Sequence, residues 1–496
     1  MKKRLAGGMA RALFAWGLTL GLLAPLVVSA GALQVPGIFG DNMVLQQMQL
    51  VPVWGWCAPG TKVTVQFGGQ LRSATATPDG RWEVDLRRLA ASREPRDLVI
   101  TAGETLTFTN ILVGEVWLCS GQSNMEKPIG RQPGQKPCFN AEQELSAADY
   151  PQIRLFKVER GDLSATPQTQ LKHFKGWQSC NSNALNTISF SAAGYFFGRE
   201  IHTNLDVPVG LIESTWGGTR IEPWTPAEAL AGVATPDTNS ATPPTAPRLT
   251  NTMPSAIYNA MIAPLVHFAM RGALWYQGES NCMGPQNANY TDQMGALVNG
   301  WRRAWGQGNF PFFYVQIAPF KYFGGKTRRV ASPEALPEFW EAQARAQSLP
   351  GTGMVVTTDL VDNLDDIHPC NKVEVGRRLA RLALCKTFGR ASMLCYGPTY
   401  RHIKIRGPQA TLCFENANGG LVSRDGQPLT WFTMAGPDGK FVPAQAVIQG
   451  DTVVVTAPGI TAPWAIRFAW DETAQPNLCN QAGLPAVPFR TDGQGR

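Results

Sequence analysis

Two segments of the chain carry the residue types that nucleophilic catalysis needs. The first, Val113–Met125, has the pattern of a strand that ends in a tight polar turn, and Ser123 lies on that turn. The second, Asp362–Pro369, follows a predicted strand and contains His368, with Asp365 three residues before it. A histidine can take the proton of a serine hydroxyl, and an aspartate at its other ring nitrogen fixes the tautomer. The spacing therefore predicts acyl transfer, with Ser123 as nucleophile, His368 as general base and Asp365 as the orienting residue.

Each member of this set also has a purely structural interpretation. Ser123 could simply cap the next helix, and His368 could be an incidental member of an acidic surface loop. The chain has five histidines, but His202 and His267 fall in helical or core-like segments, and the remaining two have no carboxylate beside them. His368 is therefore the preferred base. Because the neighbouring aspartate favours the charged imidazole, we expect the pKa of His368 to lie above its ordinary value of about 6.5.

Two glycine-containing turns follow other predicted strands, at Glu213–Arg220 and Trp275–Asn281. Each could direct a backbone or amide N–H at a developing oxyanion, although each could also be an ordinary glycine turn. No phosphate-binding glycine pattern is present, so a nucleotide cofactor is not expected. The cysteines and histidines do not have the spacing of zinc ligands, so a metal is not expected either.

The elements around these motifs alternate between strand and helix from residue 113 to residue 389. Such alternation predicts an α/β catalytic domain in three layers, in which helices cover both faces of a parallel sheet. Ligands bind such sheets beyond the carboxyl ends of the strands, which is where the motifs lie. Strands are predicted at Val113–Cys119, Pro208–Ser214, Arg271–Tyr276, Phe312–Ile317 and Gly353–Thr358, with helices at Ser191–Leu205, Tyr290–Trp305, Pro337–Ser348 and Lys372–Phe388.

The regions on either side of this domain have a β texture. Short alternating segments separated by Pro and Gly predict a β-sandwich over residues 33–112. Residues 390–496 are predicted to form a second β-rich domain.

Residues 1–32 have the composition of a signal peptide. A cationic start precedes a short apolar stretch, and small residues allow cleavage after Ala30 or after Ala32. We therefore expect an exported protein, periplasmic or secreted, without a membrane segment after cleavage. The ten cysteines are an even number, which permits disulfides in such a compartment, but the spacing does not determine their pairing.

The net charge gives no support for a nucleic-acid or membrane-surface partner. The chain has 44 Lys and Arg against 37 Asp and Glu, a formal charge of +7. Four of the basic residues lie in the first segment, and without them 40 basic residues face 37 acidic ones. The mature chain is therefore nearly balanced, and no basic run elsewhere would attract a polyanion.

Five sequence blocks, in this order, resemble the sialate O-acetylesterase family of the SGNH hydrolase superfamily. The resemblance extends over nearly the whole mature chain, and it implies a flavodoxin-like parallel sheet. The blocks are Asp41–Gln46, Pro52–Trp56, Gly121–Met125, Trp275–Asn281 and Asn477–Thr491.

The resemblance also implies an oxyanion hole. Its donors would be the N–H of Ser123, the N–H of Gly217 or Gly218, and a side-chain amide. The family's amide is usually that of an asparagine, but the matching turn here begins with Gln277, which we take as the third donor. No cofactor is implied.

The implied reaction is hydrolysis of O-acetyl esters on sialic acids or related acetylated glycans through an acetyl-enzyme. Arg220 is the candidate for binding a sialic acid carboxylate, although it could instead pair with Glu222. Further substrate contacts are expected from Trp216, Glu279 and Asn281.

Two alternatives stay open. One is an acetylxylan or other polysaccharide esterase. The other is a non-catalytic glycan-binding protein, in which aromatic faces such as those of Trp216, Trp224 and Trp275 would stack on sugars. A complete Ser, Asp and His set favours the enzyme, because a binding protein does not need it.

Overall fold

The structure is a computed structural model that describes residues 31–233, 249–284, 289–326 and 328–493. Residues 1–30, which hold most of the predicted signal peptide, lie outside the described residues. Within the described ranges, every helix is too short or too polar to cross a bilayer.

The elements are numbered in chain order. The strands are β1 Val44–Gln46, β2 Val51–Trp56, β3 Lys62–Phe67, β4 Gln70–Thr75, β5 Arg81–Leu86, β6 Ser92–Ala102, β7 Glu104–Gly121, β8 Asp149–Val158, β9 Phe174–Asn181, β10 Val209–Thr215, β11 Gly272–Tyr276, β12 Phe312–Val315, β13 Thr352–Val355, β14 Thr399–Arg406, β15 Gln409–Glu415, β16 Leu421–Ser423, β17 Phe432–Ala435, β18 Phe441–Pro443, β19 Gln445–Gln449, β20 Thr452–Thr456, β21 Ala465–Phe468, β22 Leu478–Asn480 and β23 Phe489–Arg490. The helices are α1 Ser123–Glu126, α2 Ala141–Ser146, α3 Ser182–Thr187, α4 Ala192–Leu205, α5 Ala227–Leu230, α6 Glu279–Cys282, α7 Tyr290–Trp305, α8 Ala335–Arg345 and α9 Lys372–Lys386.

The central sheet has the strand order β13-β12-β11-β7-β10-β8-β9. Its strands are parallel from β13 to β8, and β9 closes one edge in the antiparallel direction. Helices α4 and α9 pack on one face, and α7 and α8 pack on the other, so that two apolar cores sandwich the sheet. This is the three-layer α/β arrangement predicted from the sequence. The β8–β9 hairpin was not among the predicted strands.

Strand β7 is 18 residues long and belongs to both the N-terminal β region and the central sheet. Its first half pairs with β6 and alternates between exposed and partly buried residues, whereas its second half is buried throughout and pairs with β10 and β11. The β2–β5 pair packs against β3 and contributes to the same core. The predicted boundary between residues 112 and 113 falls inside β7, so no linker separates the two regions.

The C-terminal region consists of small antiparallel sheets, β14-β15-β20-β19, β18-β17-β21-β23 and β16-β22. Arg467 pairs with Glu334 at 2.8 Å, and Arg490 pairs with Glu341 at 3.0 Å, which ties this region to the start and middle of the α8 segment. A disulfide joins Cys385 on α9 to Cys395. The other eight cysteines are free thiols, which settles part of the pairing that the sequence left open.

Candidate active site

The turn that carries Ser123 is formed where two parallel strands end almost in contact. Gly121, the last residue of β7, has φ +138°, and a Cβ on it would lie 2.2 Å from the carbonyl oxygen of Tyr276 on β11. Glycine is therefore required there. The next residue, Gln122, is buried, and its Oε1 accepts from the side-chain amide of Gln277 at 3.1 Å. Ser123 follows as the first residue of α1.

The loop after β13 brings His368 to this turn. Its Nε2 lies 2.9 Å from the Ser123 Oγ, which is hydrogen-bond distance. The loop is braced internally: the Cys370 N–H donates to Asp362 at 3.1 Å, and the His368 N–H donates to Asp366 at 2.9 Å. Serine and histidine are thus adjacent, although they come from distant parts of the chain.

The carboxylate beside His368 is that of Asp366, not Asp365 as predicted. The Asp366 Oδ1 lies 3.5 Å from the His368 Nδ1, and both side chains are largely buried. Asp365 is instead 62% exposed and forms an ion pair with Lys321 at 3.2 Å. The prediction failed because the turn that begins at Asn363 directs adjacent carboxylates to opposite sides, and sequence spacing does not reveal which one faces the ring.

The pKa of His368 moves opposite to the direction expected from its aspartate. Burial is the largest influence, and the nearby ammonium groups of Lys372 and Lys127 also disfavour the imidazolium. Asp366 raises the pKa but does not outweigh them, so the pKa falls to about 4. Only neutral imidazole accepts a proton, so this environment keeps His368 ready to act as a base in mildly acidic solution.

Of the two candidate glycine donors, only Gly217 adjoins Ser123. A Cβ on Gly217 would lie 3.3 Å from the Ser123 Cβ, whereas Gly218 is exposed with nothing within 4 Å of such a position. The Gly217 N–H, however, donates to Glu126 Oε2 at 2.9 Å. The other oxygen of Glu126 accepts from Arg160 at 2.8 Å. An oxyanion would have to displace this carboxylate before Gly217 could bind it.

The amide of Gln277 is committed to the protein interior, so its predicted role as an oxyanion donor is not supported by its contacts. Its Nε2 lies within hydrogen-bond distance of three acceptors, the nearest being Asn281 Oδ1 at 2.7 Å, and its Oε1 accepts from the Tyr290 hydroxyl at 2.8 Å. Asn281 is equally occupied, since its Nδ2 donates to Glu222 and Gln293. Both side chains brace the turn after β11 and face no substrate space.

The remaining predicted substrate residues are also turned inward. Glu279 is 1% exposed and accepts from Asn124 at 2.5 Å. Arg220 makes two hydrogen bonds to Glu222, at 2.8 and 3.3 Å, as in the alternative interpretation of that residue. Trp216 is half-buried against the core.

Two of the three aromatic residues considered for sugar stacking are too buried for that role. Trp224 and Trp275 are fully buried, and their rings pack edge to face. They therefore stabilise the core, and they give no support to a glycan-binding surface.

Three neighbours of the site were not singled out from the sequence: Asn124, Glu126 and Lys372. Asn124 follows Ser123 directly, Glu126 lies three residues after Ser123, and Lys372 lies four residues after His368. Proximity to the two reactive residues was therefore the available signal. Sequence alone did not show that these side chains turn inward.

A cavity of about 560 Å³ opens beside Glu126. Its basic residues outnumber its acidic ones: Arg131, Lys157, Arg160 and Lys175 line it together with Glu126 and Glu159. Arg131 also lines an adjoining cavity of about 780 Å³ that reaches Asp366. His173, at the rim, pairs with Asp162 at 3.0 Å, a carboxylate that is remote from it in sequence. In the ranges described, no three His, Cys, Asp or Glu side chains cluster as metal ligands would.

Comparisons with a protein family, with related sequences and with a solved structure all match acetylesterases that act on carbohydrates. Residues 113–385 match the family described as carbohydrate esterase, sialic acid-specific acetylesterase. Human sialate O-acetylesterase is 30% identical over 429 residues, 78% of each chain, and the mouse enzyme is 29% identical over 450 residues, 79% of this chain and 80% of its own. The crystal structure of a carbohydrate acetylesterase from Xanthomonas citri superposes with a TM-score of 0.83 at 35% identity, and it covers 93% of this chain and 100% of its own.

The lowered pKa of His368 leads to a prediction about labelling by a serine-reactive fluorophosphonate. We expect the rate of labelling at Ser123 to change less than about twofold between pH 5.5 and pH 8, since the imidazole is neutral throughout. A histidine with the ordinary pKa would be about tenfold less reactive at pH 5.5. Mass spectrometry of the labelled peptide identifies the site, and a tenfold fall at pH 5.5 would contradict the burial argument.

Proposed function

The chain belongs to the carbohydrate esterase family of sialic acid-specific acetylesterases, and from this premise we propose that it removes O-acetyl groups from sialic acids or related acetylated glycans. It is a carboxylic ester hydrolase that acts on acetylated sugars. The observation that supports the mechanism most directly is the 2.9 Å separation between Ser123 Oγ and His368 Nε2.

The reaction proceeds in two halves. The Ser123 Oγ attacks the acetyl carbonyl carbon while His368 Nε2 takes the hydroxyl proton. The tetrahedral intermediate collapses, the bond from the carbonyl carbon to the sugar oxygen breaks, and His368 returns the proton to that oxygen. Water then attacks the acetyl-enzyme with His368 again as base, and acetate leaves as Ser123 regains its proton.

The oxyanion is stabilised by backbone N–H groups at the turn. The N–H of Ser123 opens helix α1, where the first N–H groups lack intrahelical acceptors. The Gly217 N–H is the second donor, and the oxyanion displaces the Glu126 carboxylate that this N–H binds in the resting site. We do not assign Gln277 as a third donor, because its amide is engaged elsewhere.

We also propose that Arg160, not Arg220, binds the carboxylate of a sialic acid. Its side chain is 54% exposed in the basic cavity, and only one of its nitrogens contacts Glu126 among the described residues. The guanidinium therefore keeps donors for a planar anion. Arg220 has no comparable freedom beside Glu222.

Export to the periplasm or the medium is part of the proposal. A cationic start, an apolar stretch and small residues near Ala30 support it, as does the disulfide between Cys385 and Cys395. Sequencing the N-terminus of the protein recovered from the periplasm or the medium tests the export and the cleavage site.

Acetate release from a substrate panel tests the proposed function. We expect the highest kcat/KM on an O-acetylated sialic acid, a lower value on acetylated xylo-oligosaccharides, and measurable turnover of 4-nitrophenyl acetate. Ser123→Ala should lower all three activities by at least about 10³-fold. Its unfolding temperature should not change, because little packing is lost. Preference for the xylan fragments would establish the polysaccharide esterase alternative, and equal activity of the variant would rule out this nucleophile.

The two adjacent aspartates provide a matched pair of variants. We expect Asp366→Asn to lower kcat by about 10²- to 10⁴-fold, because the imidazolium loses the carboxylate that orients and stabilises it. Asp365→Asn should stay within about twofold of the parent, since that carboxylate faces solvent and Lys321. Steady-state kinetics at pH 7 distinguish the two, and the reverse order would restore the assignment made from sequence.

Replacing Arg160 tests the carboxylate site. Arg160→Met should lower kcat/KM on an acetylated sialic acid by about 10- to 100-fold, the usual value of a charge-assisted hydrogen bond. Turnover of the neutral 4-nitrophenyl acetate should stay within about threefold. Lys175→Met, which removes a cation from the same cavity, is the control and should affect both substrates little. Equal losses on both substrates for Arg160→Met would mean that Arg160 only supports Glu126 and the Gly217 turn.

A further inference from the structure

Lys372 is a fully buried lysine at the beginning of α9, close to the reactive pair. Its Nζ donates to the Asn124 Oδ1 at 2.6 Å and lies 4.7 Å from the centre of the Tyr276 ring. In the described chain it has no carboxylate within ion-pair distance. Burying an ammonium group without a paired carboxylate is costly, so a lysine in this environment calls for a functional explanation.

Asn124 connects Lys372 to both halves of the site. It follows Ser123 directly, and its Nδ2 donates to the backbone oxygen of Ile367 at 3.0 Å, immediately before His368. The same Nδ2 donates to Glu279 at 2.5 Å. One amide therefore joins the nucleophile turn to the backbone of the base loop, and Lys372 holds the oxygen of that amide.

We propose that Lys372 is a positioning residue for the reaction proposed above: through Asn124 it holds the Ser123 turn against the His368 loop. The inference rests on the proposed function only for its kinetic consequences. The contacts from Lys372 to Asn124 and from Asn124 to the backbone of Ile367, which we call the clamp, do not depend on the proposed function.

The charge of Lys372 has a further effect, which acts on the pKa of His368. Asp366 faces the ring from its own loop, Lys127 faces it from the segment after α1, and Lys372 faces it from α9. After burial, Lys372 is the largest influence that lowers the pKa of His368. Burial also lowers the pKa of Lys372 to about 8, so this side chain still carries its charge at neutral pH.

The test separates the clamp from the charge with two variants. Lys372→Met keeps an unbranched side chain that is one atom shorter, and it removes both the charge and the donor. Its kcat should fall by about 10- to 100-fold with KM nearly unchanged, because the reacting atoms lose their alignment. The acidic limb of its kcat/KM profile should move up toward pH 6.5. Asn124→Ala breaks the clamp but keeps the Lys372 side chain, so kcat should fall while the acidic limb stays in place.

Two further variants serve as controls. Lys372→Arg retains the charge and should restore the position of the acidic limb. Arg377→Met removes an exposed cation from the same helix and should leave kcat and the pH profile unchanged. A Lys372→Met variant with the parent pH profile and kcat overturns the proposal.

An NMR titration keeps this inference separate from the proposed function. The imidazole signal of His368, assigned by its loss in His368→Asn, should titrate at higher pH in Lys372→Met than in the parent protein. This readout needs no substrate. An inactive parent protein would refute the proposed function alone, whereas an unchanged His368 titration would refute the role of the Lys372 charge.

Discussion

The close approach of strands β7 and β11 at their carboxyl ends is the constraint on which the site depends. At Gly121 the two backbones are so near that no side chain fits between them. This brings the turns that follow the two strands together, so that the Gln122 side chain can bind both Gln277 and the Gly278 N–H. Ser123 then starts a short helix from a turn that these contacts hold in place. The loop that carries His368 needs only to reach that turn.

Burial sets the chemistry of the reactive pair more strongly than the paired carboxylate does. Withdrawing His368 from water disfavours its charged form, and two buried lysines, Lys127 and Lys372, act in the same direction. In the proposed reaction Asp366 therefore orients the ring and stabilises the charge that forms in the transition state, without charging the ring in the resting state. The same interior holds Glu279, whose pKa is also raised by burial.

The fold could be predicted because alternation of strands and helices is a regular signal that extends over many residues. The bounds of α7, for example, coincide with those predicted. The β8–β9 hairpin was missed since its residues show little alternation and it lies at the edge of the sheet. The approach of Ser123 to His368 could be predicted because both residues follow strands of a parallel sheet. The carboxyl ends of such strands lie along one edge of the sheet.

Finer features of the site depend on which way single side chains turn in loops. Asp365 and Asp366 are equivalent in sequence, yet one faces Lys321 and the other the imidazole. Gln277, Glu279 and Asn281 belong to one motif, but their burial shows that the motif braces a turn. Contacts across the fold, such as that from Lys372 to Asn124, leave no periodic trace in the chain.

Strand β7 runs without interruption from the N-terminal β region into the central sheet, so the two regions cannot be separated without cutting this strand. A strand that serves as the edge of one sheet and the centre of the next transmits any distortion of the first directly into the backbone of Ser123. The N-terminal β region is therefore not a module that recombination could exchange freely between proteins. An insertion within β7 would shift the register of both sheets at once.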